Sequence, residues 1–296
     1  MTDFPVLPPA LSGERRVIRG SAGPLSYYAR GAGKPVLLIH SINAAASAYE
    51  MRPIYERIVD ARVFAPDLPG FGFSDRSARD YSITLYTDAL LDMLDTISAE
   101  CGTEPVDVVA LSLSCEFLAR AALRRPHRVR RLTFITPTGF MKDSDRWRQP
   151  LGSTRQVTGV LPILSAPLIG TGLFAALTTK TSIRYFLRKT WGGEPVDAGL
   201  IEYCYATAHQ PGAHHAPLAF VSGKLFGADA RRIFEAQTHR IWMPHGTRGD
   251  FAEFSGAGWV DARGNWTRSP WAAGALLHFE QPEKFAIDLR AFRTAA

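Results

Sequence analysis

Short apolar runs separated by segments of helical spacing constrain this chain more than any other feature. PVLLIH (35–40) follows the turn signal GAGK, ARVFAPDLPG (61–70) ends in a turn, and PVDVVALS (105–112) and VRRLTFITPTG (129–139) are further strand candidates. Between them lie ASAYEMRPIYERIVD (46–60), SITLYTDALLDMLDTISAEC (82–101) and CEFLARAALRRP (115–126), each read as an amphipathic helix. Ser82 or Thr84 caps the second of these. Strand–helix–strand alternation calls for an α/β fold: a mostly parallel sheet flanked by helices. Upstream, RRVIRG and GPLSYYARG read as an antiparallel hairpin.

The alternation stops at 141 and resumes at HRIWMPHG (239–246). Segments such as SIRYFLRKTWG and DAGLIEYCYATAH are helical in spacing, so 141–230 is read as a helical cap inserted into a core made of 1–140 and 231–296. The cap holds VLPILSAPLIGTGLFAALTT (160–179), uncharged and about long enough to span a bilayer. Prolines and glycines interrupt it, so it is read as an apolar lid; contact with a membrane surface is left open and not expected. Net charge is +6, but the basic residues are scattered or in short clusters such as RRPHRVRR (124–131), without interleaved aromatics, which argues against nucleic acid as a partner. Three cysteines without close pairs suggest neither disulfides nor zinc and fit a reducing compartment. With no charged-then-apolar leader at the N-terminus, a cytoplasmic location is expected. HQPGAHH (209–215) has a metal-like look but lacks ligand spacing to an acid or cysteine, and is read as a loop near the substrate entrance. No metal or cofactor is expected, and oligomeric state is not legible.

In open α/β sheets ligands sit beyond the carboxyl ends of the strands. Those ends read HSIN, DLPGFGFSD, ALSLS, TPTGF, HGTRGDF and GALLHFEQP. Together they resemble the α/β-hydrolase family over roughly residues 20–140 and 235–292. The resemblance implies that Ala110-Leu111-Ser112-Leu113-Ser114 is the nucleophile elbow, usually Gly-x-Ser-x-Gly, with small residues where the family has glycines. It implies that the backbone N–H groups of Ile42 and Leu113 form the oxyanion hole, with Ser41 and Asn43 nearby and His40 bracing the loop. DLPGFGFSD is then a scaffold turn and Cys115 a packing residue. Asp250 is the candidate acid, in a loop one residue longer than the family's common form.

The base is the open point. Aligning Glu280 and Pro282 with the family's last motif puts Ala275 where the histidine usually stands. His278 lies three residues on, and a shifted loop would bring it to Ser112. The reading favoured is a Ser112–His278–Asp250 triad cleaving a carboxylic ester of a hydrophobic small molecule through an acyl-enzyme. Ser41, Asn43 and Phe140 of the core and Leu173 and Phe174 of the cap are the expected substrate contacts; the apolar cap also holds Leu161, Ile163, Leu164 and Phe186. The alternatives are a non-catalytic ligand-binding protein on the same scaffold, or an acyltransferase or C–C bond hydrolase using the same serine.

Overall fold

A computed structural model describes residues 4–142, 148–164, 166–193 and 195–295. The sheet has eight strands: β1 (Glu14–Gly20), β2 (Gly23–Arg30), β3 (Pro35–Ile39), β4 (Arg62–Pro66), β5 (Val106–Leu111), β6 (Val129–Ile135), β7 (Arg240–Gly246) and β8 (Trp266–Trp271). Their order is β1-β2-β4-β3-β5-β6-β7-β8. The β1–β2 hairpin and its junction with β4 are antiparallel, and every pair from β4 to β8 is parallel. β3 and β5 lie side by side in the middle. That is why both are apolar along their whole length: each is covered on two faces.

Alternation along these strands divides the core. Leu37, Ile39, Val108 and Ala110 join the helices Ile83–Cys101 and Ser114–Arg124 on one face. Val36, Leu38, Val109 and Leu111 pack on the other, with Tyr55 and the C-terminal helix Pro282–Thr294. Ser82 caps its helix by accepting the Leu85 N–H. The segment 46–60 differs from expectation. Only a 3-10 turn at Ala48–Met51 and one α-turn at Arg52–Tyr55 form; the Ala48 N–H that opens the turn is held by the Asp67 carboxylate.

The DLPGFGFSD turn is scaffold, as read. Buried Asp67 accepts the N–H groups of Ala48 and Phe73, and burial lifts its carboxyl to about 6. Gly72 stands at φ 50, and a Cβ there would overlap the Asp67 carboxylate. Gly72→Ala is therefore expected to cost about 2 kcal/mol or more, read as a lower urea midpoint with an unchanged slope.

Between β6 and β7 the described residues form the helices Val160–Leu164, Pro167–Leu177, Lys180–Trp191, Ala198–Ala208, His215–Val221 and Ala230–Glu235. The chain returns to the core over a buried charge cluster. Arg120 pairs with Glu116 and Asp229, and Glu116 also accepts the Gly227 N–H.

Candidate active site

Ser112 sits between the end of β5 and the helix Ser114–Arg124, at φ 56. A non-glycine residue in the left-handed region is strained, and persists only where its surroundings hold it. Here the Ser112 N–H is tied to Ile135 O at 2.9 Å, and Ser114 Oγ donates to His40 O at 2.6 Å. The second bond fastens the elbow to the loop after β3. Ala110 and Ser114 are wholly buried, so small side chains are needed on both flanks, as the sequence suggested.

A cavity of about 500 Å³ opens beside this turn. Ser112, Leu113, Ser41, Ile42, Asn43 and Phe140 all line it, as anticipated. The Ile42 and Leu113 N–H groups have no partner among the described residues, which leaves two donors free at the cavity wall. His40 is a brace: its Nδ1–H donates to Ser41 O and its Nε2 accepts the Leu68 N–H. Full burial pushes it down to about 4, so it stays neutral. Cys115 is buried, with its thiol pushed up by desolvation, and packs as expected.

Two expected substrate contacts fall elsewhere. Phe174 is buried against His214 and Leu173 is 37% exposed; neither lines the cavity, because their helix packs on His215–Val221 rather than on the elbow. The Leu164 side chain lies outside those described. His209, His214 and His215 do not line the cavity either, and no group of three candidate metal ligands occurs among the described residues.

The structure does not bring the expected triad together. His278 is fully buried in the short helix Leu277–Glu280, with its ring against Phe279 and Phe285. Its Nε2–H donates to Glu50 O at 2.8 Å, and Nδ1 has no partner. It touches neither Ser112 nor Asp250, and burial holds it near 4, neutral. The residues of this loop that do line the cavity are Ala275 and Leu276. Asp250 lines the cavity but is drawn the other way: its N–H donates to Lys189 O at 2.8 Å and its half-exposed carboxylate pairs with Lys189 at 3.5 Å.

Two residues of the site went unread in the sequence. Thr136 stands at φ 44 on the cavity wall, and its Oγ1 donates to Ala275 O at 2.9 Å. Glu50 also lines the cavity and is buried. Its carboxylate accepts the Ser41 N–H at 2.8 Å and the Asn43 side-chain amide at 2.7 Å, so it clasps both ends of the loop bearing Ile42. Among the described residues no cation bonds to it, and desolvation raises its pKa. Helical spacing around 46–60 suggested nothing special about this residue.

Comparison with known proteins agrees with this architecture. Over 112 residues the chain is 32% identical to the 2-hydroxymuconate semialdehyde hydrolase of Pseudomonas sp. strain CF600, covering 37% of this chain and 38% of that protein. It is 33% identical over 112 residues to a 2-hydroxy-6-oxo-2,4-heptadienoate hydrolase of Pseudomonas putida, covering 37% and 39%. The match thus spans well under half the length of these curated relatives. Among solved structures, a serine hydrolase involved in carbazole degradation superposes with a TM-score of 0.75 at 17% identity, covering 96% of this chain and 100% of that one. A meta-cleavage product hydrolase from Pseudomonas fluorescens IP01 gives 0.70 at 19%, covering 94% and 97%. The family profile described as the alpha/beta hydrolase fold matches residues 34–191, more than half of the sequence, and the chain belongs to that family.

Proposed function

We propose that this chain hydrolyses a small, largely apolar carbonyl compound, with Ser112 as nucleophile and the Ile42 and Leu113 N–H groups as oxyanion donors. The observation that carries this reading is Ser112 at φ 56, held at a cavity wall between a buried strand and a helix. Such strain is the mark of a nucleophile elbow. Two fixed donors facing a developing oxyanion contribute about 3 kcal/mol each.

The bond cleaved is better supported as carbon–carbon than as ester. The compounds named for the two curated relatives contain neither ester nor amide, so water can only be added across a carbon–carbon bond next to a carbonyl. Arg155 is the one cation among the described residues lining the cavity, and suits a substrate carboxylate. Supplying a 2-hydroxy-6-oxo-dienoate and an aryl ester of similar size in parallel tests this. Loss of the absorbance of the ketone-conjugated dienoate is expected, with release of a carboxylic acid and a shorter 2-hydroxydienoate in equal amounts. Turnover of the ester alone would return the reading to an esterase.

Glu50 is our assignment for the acceptor of the Ser112 proton. It is the buried carboxylate of the cavity wall, its raised pKa makes it a stronger base, and its two bonds use only part of its acceptor capacity. Glu50→Gln is expected to lower kcat by about 10²-fold or more; because its amide NH2 replaces one of the two oxygens that accept from Ser41 and Asn43, the melting temperature is measured alongside. The parent's rate should fall on acidification through the raised Glu50 pKa, a limb the variant lacks. An unchanged pH profile would remove Glu50 from the chemistry. One observation favours a second reading, a ligand-binding protein without turnover: no histidine lines the cavity among the described residues.

A further inference from the structure

The segment from Arg146 to Gly193 contains seven basic residues and neither Asp nor Glu. Without it the chain would hold 27 basic against 28 acidic residues, so the net positive charge belongs to this one stretch. The same stretch includes the uncharged run 160–179, which forms the helices Val160–Leu164 and Pro167–Leu177.

A helix on a globular surface normally turns its apolar side inward. Here apolar residues also point out. Gly170 and Phe174 are buried, yet Ile163 is 59% and Ile169 is 53% exposed. The next helix, Lys180–Trp191, holds Tyr185 and Phe186 about half exposed beside the exposed cations Arg184 and Lys189. Leu187 and Thr190, on the inner side of that helix, line the cavity. Among the described residues no helix is long and apolar enough to cross a membrane.

We infer that this outer face of the cap docks on the surface of a bilayer with anionic headgroups. An uncharged helix flanked by aromatics and by cations on flexible stems is what lies in the plane of such an interface. Apolar side chains enter the acyl boundary, and Lys and Arg reach up to the headgroups. Lys180 pairs with Glu202 at 2.6 Å and Lys189 with Asp250 at 3.5 Å; both pairs are exposed and readily exchanged for phosphate. Docked in this way, the lipid and the cavity would face opposite sides of a single helix, about 10 Å thick.

The test is flotation of the full chain with phosphatidylcholine vesicles, with and without about 30% phosphatidylglycerol. Binding to the anionic vesicles is expected to be at least about tenfold tighter and to weaken strongly in about 0.5 M salt. Ile163→Asp with Ile169→Asp should lose it while keeping the parent's melting temperature, and Arg184→Glu should weaken it alone. Equal binding to both vesicle types, no binding, or full binding by the double variant would each overturn the inference. So would a concentration-dependent dimer that forms without lipid and is lost in the double variant, since the face would then be covered by a second copy.

Discussion

Ser112→Ala is expected to leave a folded protein that no fluorophosphonate can label and that turns over no substrate, a loss of about 10⁴-fold or more. The prediction is strong because so much is invested in the geometry of one residue. Ser112 is the only possible source of the adduct at the elbow: Ser114 Oγ is committed to His40 O and Cys115 is buried in the helix. Intact mass separates the cases. One adduct on the parent and none on the variant establishes an activated Ser112. No adduct on a folded parent would favour the ligand-binding reading, and an adduct that persists in Ser112→Ala would place the nucleophile elsewhere.

The second large effect belongs to His278, and it is an effect on stability. His278→Ala removes a buried ring, leaves a cavity against Phe279 and Phe285, and strips Glu50 O of its donor. A loss of about 3 kcal/mol is expected. Fluorophosphonate labelling of Ser112 should survive in the folded fraction, whereas a catalytic base would take labelling away with it.

Acid supplies an independent check on this role. In the folded state His278 stays neutral down to about 4, while in the unfolded chain it charges near 6.5. The unfolded state therefore binds the extra proton between these values. The contribution of His278 is full above 6.5 and falls by on the order of 3 kcal/mol as pH drops to 4. Asp67 and Glu50, whose pKa values are raised, act in the opposite sense, gaining stability as pH falls. The measurement is thus the difference between parent and His278→Ala, which should narrow from pH 6.5 to pH 4. A constant difference would mean that the imidazole is not held neutral.

What the sequence disclosed follows from range. The apolar runs that became β3 and β5 were readable because burial on two faces demands nearly continuous apolar residues. The elbow at Ser112 and the DLPGFGFSD turn were readable because tight backbone geometry selects small residues locally. The base position was not. Whether His278 or Ala275 faces the cavity depends on how a one-turn helix sits against Glu50, two hundred residues away in sequence. Glu50 was hidden for a related reason: an acidic residue in a helical pattern looks like a wet one until the fold covers it. Asp250 lies in the loop after β7, but its pairing with Lys189 comes from the helix Lys180–Trp191, whose packing no local motif encodes.

Beside its side-chain contacts, the helix Lys180–Trp191 holds the loops after β7 and β8 through main-chain atoms. Lys189 O accepts the Asp250 N–H, and Thr190 O accepts the Ala275 N–H at 2.9 Å. Every amino acid supplies such a carbonyl. The outer sequence of this helix can therefore drift over generations, toward a new surface or a new class of molecule, while the two loops it pins keep their register. Descendants of this chain could change what they meet without rebuilding the wall behind which they work.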